Sequence, residues 1–474
     1  MVADVAIYTV VHQPRRLKLP AQPIPYGVSV EDIIHCVFDE RINEHYFRKV
    51  AHTSYYPATR LFLELVRKGM QLSIGFSLSF VRQAAQWESA LLELMRELVA
   101  EENVELIGVE PYHSFLFLLD LPLFVLRMQE MANELEQIFG KRPTVTDTTE
   151  MSMSSTVYDA LDTAGFRGAV MDGRSRVMDW RESTHLYRYG NEAPFSLPLA
   201  VKKAQLSTRT KRSPRKLLLD GERESSPYLL ARHHDLSDDI GYRFSNKNWS
   251  HYPLYADTYA NWIANTPGDF ALLGWDFETF GEHHRRESGI FEFLQALPTA
   301  LARHDIAFRT PSALIDRYSA TEKVYHLPLP VFPTTWAGDG GMDFFLGNSA
   351  QQTIFQLMGQ VYSMARLTEN PELLNLALWM AQSDNLHLIQ WFGRTGPEAE
   401  VSSYFTPSEW WNLGANDIIH EQQQVYLNVL RAMEPYLPTR LIRQTRQQGT
   451  AKPNRRRRDL EPTVGYMARV IMNS

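Results

Sequence analysis

Carboxylates and imidazoles in this chain gather where apolar runs give way to polar residues. VAIYTVV (5–11) leads into His12-Gln13-Pro14, and VELIGV (104–109) into Glu110-Pro111-Tyr112-His113-Ser114. TVTDTT (144–149) leads into Glu150. FALLGW (270–275) leads into Asp276-Phe277-Glu278, followed by Thr279-Phe280-Gly281-Glu282-His283-His284. If each apolar run is a buried strand of a parallel barrel, these side chains leave the C-terminal strand ends, where such barrels keep their working groups. His12, Glu110, His113, Glu150, Asp276 and Glu278 then share one rim. Carboxylates opposed across a cleft are the minimal set for glycoside hydrolysis. One protonates the leaving oxygen, and the other attacks the anomeric carbon or activates water. Tyr112, Trp249, Trp275, Phe277 and Phe280 lie near these motifs and offer flat faces that suit sugar rings. A metal site is the competing chemistry, with Asp276, Glu282, His283 and His284, or His12 and His113, as candidate ligands. Adjacent histidines point apart on a helix, however, and no HExxH spacing occurs. A carboxylate at a strand end can also simply cap a helix or pair with an arginine, so residue types alone stop at a hydrolase-like rim.

The elements that must carry these residues alternate. Apolar runs at 5–11, 70–76, 104–109, 144–150, 168–171, 270–278 and 306–310 predict strands. Between them, amphipathic spacing predicts helices over 58–68, 80–101, about 122–139 and about 288–303, with Gly69 and Gly140 placed to end two of them. Buried strands alternating with helices give right-handed βαβ units and a parallel sheet, and seven strands in one run favour a closed barrel. Beyond about residue 320 the strand signals fade. Helical patterns at 349–367, 371–385 and 416–436 predict a helical region packed on the barrel. The expected division is a barrel over 1–318 and a helical domain over 319–474.

Composition narrows the class. With 48 basic and 55 acidic residues the formal charge is −7, which gives no overall attraction to nucleic acid or an anionic membrane. A single cysteine, Cys36, removes disulfide frameworks and multi-cysteine metal sites and suits a reducing compartment. No run of 18 apolar residues occurs, so a soluble, cytoplasmic protein is expected. Two basic stretches, 193–219 and the arginine run 455–458, predict solvated surface loops, the first of them an insertion in the barrel.

The motifs together resemble glycoside hydrolase family 57. His12-Gln13-Pro14-Arg15-Arg16-Leu17, Gly108-Val109-Glu110-Pro111-Tyr112-His113-Ser114, Thr148-Thr149-Glu150-Met151 and Asp276-Phe277-Glu278-Thr279-Phe280-Gly281-Glu282-His283 resemble its first four motifs, in order. Leu236-Ser237-Asp238-Asp239-Ile240, the stretch from Arg243 to Trp249, and Ser383-Asp384 resemble the α-amylase-like branch. The resemblance implies a (β/α)7 TIM-like barrel followed by an all-helical C-terminal region, acting on α-1,4-glucans with retention and needing no metal or organic cofactor. It implies Glu150 as nucleophile and Asp276 as general acid/base. His12, Gln13, Glu110, His113, Trp249, Trp275, Phe280 and Asp384 are then expected to bind substrate. Thr148, Arg285 and Asn385 depart from the commoner Asn, Trp and His at those places. None of these departures removes a catalytic carboxylate. An α-glucan hydrolase is therefore expected, with a 4-α-glucanotransferase or branching enzyme, or a glucan-binding protein without turnover, as alternatives.

Overall fold

The computed structural model describes residues 1–190, 226–389 and 406–438; the basic stretch 193–219 and the arginine run 455–458 lie outside the described residues. Ten strands occur in chain order: β1 Asp4–Val11, β2 Leu72–Phe76, β3 Val104–Ile107, β4 Val145–Thr146, β5 Gly168–Asp172, β6 Leu186–Tyr189, β7 Tyr228–Arg232, β8 Phe270–Asp276, β9 Ala307–Phe308 and β10 Val324–Leu327. Seven of them, β1 to β5 with β7 and β8, form a parallel ring. The ring is nearly closed. Its two thin seams are the Gly108–Thr146 bridge joining β3 to β4 and the single Arg232–Leu272 pairing joining β7 to β8.

Each barrel strand alternates between two environments, as its pleat requires. Ala6, Tyr8 and Val10 of β1 and Phe270 and Leu272 of β8 join one buried cluster with Ile107, Val109, Val145, Val170 and Leu230. Val5, Ile7 and Val11 and Ala271, Leu273 and Trp275 belong instead to the larger cluster packed with the helices. The first cluster fills the barrel and the second surrounds it. Gly75 fits that filling closely, since a Cβ there would meet the Val109 side chain at 2.5 Å.

Three expectations change in the structure. The single helix expected over 80–101 is two, Leu78–Trp87 and Ser89–Ala100, broken at Glu88 with φ −141°. There the Glu88 carboxylate accepts from Arg48 and Tyr56. The run at 306–310 is not a ring strand: β9 pairs only with Asp4 and Val5. Its place in the ring belongs to β7, YLLAR. β10, beyond residue 318, pairs parallel with β6, which in turn runs antiparallel to β7.

Helices Ser349–Leu367, Pro371–Met380 and Ala415–Met433 follow, the first two starting at the side-chain caps Asn348 and Asn370. Gln382 fastens this region to the barrel mouth. Its Oε1 accepts from the Arg15 backbone N–H at 2.9 Å, its Nε2 donates to the Arg15 carbonyl at 3.2 Å, and the Ser383 N–H donates to the His113 carbonyl at 2.8 Å. Among the described residues, no helix is long and apolar enough to cross a membrane.

Candidate active site

Strand parity decides which rim residues face the barrel mouth. His12 continues the inward series of Ala6, Tyr8 and Val10, and Asp276 continues that of Phe270 and Leu272. Asp147, Asp172 and Arg232 sit inward on β4, β5 and β7 by the same rule. Asp147 accepts from the Tyr8 hydroxyl at 2.8 Å, a bond made across the barrel interior.

His12 lies between two partners, with Nδ1 2.8 Å from Ser77 Oγ and Nε2 3.0 Å from Asp384 Oδ2. Its ring stacks on His113 at 3.9 Å between centres, with planes 14° apart. His113 Nδ1 lies 2.9 Å from Ser383 Oγ, 3.9 Å from Asp384 Oδ2 and 4.0 Å from Glu150 Oε1. Ser383 Oγ also donates to Glu150 Oε1 at 3.2 Å, and the indole N–H of Trp336 donates to Glu150 Oε2 at 2.6 Å. Side chains of His12, His113, Glu150 and Asp384 keep 11, 11, 13 and 23% of their surface open, the condition of a lined cleft rather than a sealed core.

Burial dominates the electrostatics of the two central carboxyls. It lifts Glu150 from 4.5 to about 8, with Asp384 and Asp276 adding to the rise while Trp336 and Ser383 oppose it. Burial likewise lifts Asp276 from 3.8 to about 6, opposed by His12 and Arg232 and helped by Asp384. Asp384 behaves differently. Burial works to raise it too, but His12, His113 and His387 outweigh that and hold it below the ordinary carboxylate range. His113 is pushed down to about 3, mainly by burial and then by His12, so it is neutral near pH 7. The mouth thus holds one firmly ionised carboxylate and a pair that shares a proton near neutrality.

The remaining expected residues sit elsewhere. Glu110 is fully buried and its carboxylate is occupied locally: Oε2 accepts from the N–H of Tyr112 at 3.0 Å and of Ser114 at 2.7 Å, and Oε1 from Ser114 Oγ at 3.2 Å. It shapes the loop that carries His113. Gln13 is fully buried and donates to the Tyr55 hydroxyl at 2.9 Å. Trp275 points out of the barrel, its indole donating to the Ser237 carbonyl at 2.8 Å, and Phe280 packs edge-on against it and Phe62. Neither ring offers a face to the mouth. Trp249 is partly buried among His251 and Trp262. Glu278 is buried and accepts from the Tyr55 hydroxyl.

The candidate metal ligands divide. Glu282 takes Lys49 and Thr53, and His284 bridges Ser245 and the Gly241 carbonyl, both away from the histidine pair. Among the described residues, His12, His113 and Asp384 are the one set offering three ligand atoms within 4.8 Å of one another. Both stacked rings already approach Asp384, His12 at hydrogen-bond distance, 3.0 Å, and the neutral His113 at 3.9 Å. Trp336 and Ser383 are the site residues that sequence reasoning missed. Ser383 directly precedes Asp384 in the sequence, whereas Trp336 lies in a loop with no local signal.

This arrangement joins a buried carboxyl pair, a histidine pair and a helical latch at the mouth of a seven-stranded barrel. The family model for glycosyl hydrolase family 57 matches residues 6–328. The chain belongs to glycosyl hydrolase family 57. The matched span carries His12, His113, Glu150 and Asp276, while Trp336, Ser383 and Asp384 reach the same mouth from beyond it. A curated protein of Methanocaldococcus jannaschii, described as "Putative alpha-amylase", is 29% identical over 441 residues, 90% of this chain and 83% of its own. Two solved structures are similar in fold at 13% identity. The 4-α-glucanotransferase of Thermococcus litoralis superposes with a TM-score of 0.58 over 86% of this chain, which spans 60% of that enzyme's length. The branching enzyme of Pyrococcus horikoshii superposes with a TM-score of 0.55 over 93% of this chain and 97% of its own.

Proposed function

We propose that the protein is a retaining α-amylase-like glycoside hydrolase of α-1,4-glucans, with Glu150 as nucleophile and Asp276 as general acid/base, working in the cytoplasm. The observation that supports this best is the state of the carboxyl pair. Both are lifted by burial, yet Glu150 alone receives hydrogen bonds on its two oxygens, and those favour its ionised form. Burial still leaves Glu150 the stronger holder of the shared proton, about 8 against about 6 for Asp276. The productive arrangement, with Asp276 protonated and Glu150 ionised, is therefore the minor one, and these donors enlarge its share.

In the first step Glu150 attacks the anomeric carbon from one face while the glycosidic oxygen departs with the Asp276 proton, leaving a glycosyl ester on Glu150. In the second, the Asp276 carboxylate takes a proton from water, the water oxygen bonds to the anomeric carbon, and the ester bond to Glu150 breaks. Asp384, ionised and partly open, and the neutral His113 are placed to accept and donate hydrogen bonds to the sugar held between the two carboxyls. Because Trp336, Ser383 and Asp384 complete the mouth, the helical region expected over 319–474 is part of the catalytic unit in this reading.

Glu150→Ala should lose turnover on unactivated glucans, and azide should then yield an inverted, β-linked glycosyl azide from an activated aryl maltoside. Asp276→Ala should retain the first step on that aryl maltoside, accumulate the ester, and give the α-linked azide. Near-normal glucan turnover by Glu150→Ala would sink the assignment. Product analysis on maltoheptaose tests the reaction type: new reducing ends are expected, and redistribution of chain length without them would make the protein a transferase. Maltodextrin binding without turnover at any pH would make it a binding protein.

A further inference from the structure

Glu150 is gripped at its side chain and its backbone by one residue. The Trp336 indole N–H donates to Oε2 at 2.6 Å, and the Trp336 backbone N–H donates to the Glu150 carbonyl at 3.0 Å. This matters because Glu150 has a left-handed backbone, φ 59°, that an L side chain rarely adopts. The loop bearing Trp336 is fixed from below. The Arg174 guanidinium donates to the carbonyls of Trp336 and Gly338, and its Nε donates to Asp172 at 2.6 Å. Gly340, at φ +89°, lets the loop close over Arg174, since a Cβ there would lie 2.8 Å from the arginine Cδ. Beneath the indole, the Arg232 guanidinium lies 5.5 Å from the ring centre and is tied to Asp238 at 2.6 Å and to the Gly274 carbonyl at 2.9 Å.

We propose that Trp336 is a positioning residue that holds Glu150 in its attacking geometry through the indole bond to its carboxylate, and that Arg174 sets Trp336 in place. The proposal rests on Glu150 being the nucleophile. The charged and titratable groups facing Glu150 are Asp276, Asp384 and His113, with His12 stacked behind His113 and Arg232 behind Trp336. The two aspartates favour a protonated Glu150, and His113 is neutral, so the donors Trp336 and Ser383 are what oppose protonation. Of these the indole bond is the shorter. A hydrogen bond to a carboxylate from a rigid, packed ring is stronger than one from a rotatable hydroxyl held at 3.2 Å.

Trp336→Phe removes the N–H and keeps most of the ring. The test is the pH profile of kcat/KM on an aryl maltoside, with kcat and KM measured separately at the optimum. At the optimum kcat/KM should fall at least about tenfold, the scale of a hydrogen bond to a charged group, and the loss should lie in kcat more than in KM. The alkaline limb should move to higher pH, because only the proton affinity of Glu150 rises. An unchanged rate, or a lower rate with both limbs unmoved, would overturn the proposal. If circular dichroism shows that Trp336→Phe does not fold, Arg174→Lys is read the same way. That variant keeps the charge but loses the fork onto the two carbonyls, and should move the same limb in the same direction; unmoved limbs would again overturn the proposal. Glu150→Ala, run in parallel, separates the two failures. If it retains glucan turnover, the nucleophile assignment falls; if it is dead while Trp336→Phe is normal, only the role of Trp336 falls.

Discussion

The carboxyl pair predicts the shape of the pH–rate profile. With Glu150 lifted to about 8 and Asp276 to about 6, the pair holds two protons in acid, none in alkali and one between. Treating these as the two macroscopic steps, the singly protonated share is about 0.8 at about pH 7 and about 0.1 at about pH 5 and about pH 9. Only that form has both an acid and a nucleophile, so kcat/KM of the free enzyme should trace a bell centred near neutrality. The proton divides between the two carboxyls in a ratio that pH does not change. That ratio therefore scales the height of the bell and leaves its limbs in place. Asp384 supplies the perturbation. Its negative charge raises both members of the pair, so Asp384→Asn should lower both and carry both limbs toward acid, with a lower maximum as His12 loses its partner. The assay is initial-rate kcat/KM on an aryl maltoside at constant ionic strength across about six pH units. A wild-type plateau from about pH 5 to about pH 9 would refute the one-proton pair, and limbs unmoved in Asp384→Asn would refute the coupling.

Two further outcomes concern stability. Asp172 is buried between Arg174 at 2.6 Å and Arg232 at 3.4 Å, so Asp172→Asn leaves buried positive charge undercompensated and should cost about 3–5 kcal/mol in urea unfolding; a cost below about 1 kcal/mol would show that Asp238 suffices. Gly281 has φ +114° and a Cβ there would lie 2.0 Å from the Thr53 carbonyl oxygen, so Gly281→Ala should lower the thermal midpoint clearly, and an unchanged midpoint would mean the Glu278–His284 turn yields without cost.

The barrel was largely legible because its strands are buried on both faces and read as continuous apolar runs. That same continuity hid the difference between ring strands and their neighbours. YLLAR at 228–232 has only five residues and was passed over, while the equally short run at 306–310 was taken for a ring member and pairs at one edge. Within the candidate site, His12, Glu150 and Asp276 come together because each leaves the end of a strand on the same rim of the barrel. The orientation of Trp275 follows from a rule that the sequence already contains. In β8 Asp276 points inward, so Trp275 must point outward by the period of the pleat, and its indole is found on Ser237. Trp336 was not legible at all. Its contact with Glu150 spans 186 positions and depends on a loop whose path is set by Arg174, and no local pattern records such a closure.

The rim is held in conformations that its residues would not choose alone. His113 at φ 52°, Glu150 at 59° and Met151 at 50° all lie in the left-handed region, which costs L residues roughly 1–2 kcal/mol each. Each is locked by hydrogen bonds made outside the cleft. Glu110 takes the N–H groups on both sides of His113, and this explains why a buried carboxylate that touches no part of the mouth sits in the second motif. Trp336 fixes the Glu150 carbonyl, and the Met153–Thr334 bridge anchors the chain just past Met151. Strain at such positions persists only where the surroundings over-determine it. Here the surroundings are themselves polar and mutually paired, as the buried Asp172 and Arg232 are with the half-buried Arg174. The side chains that line the mouth are few and partly open. Those that fix the mouth include the buried Glu110 after β3, Asp172 on β5 and Arg232 on β7, joined by the half-buried Arg174 and Trp336.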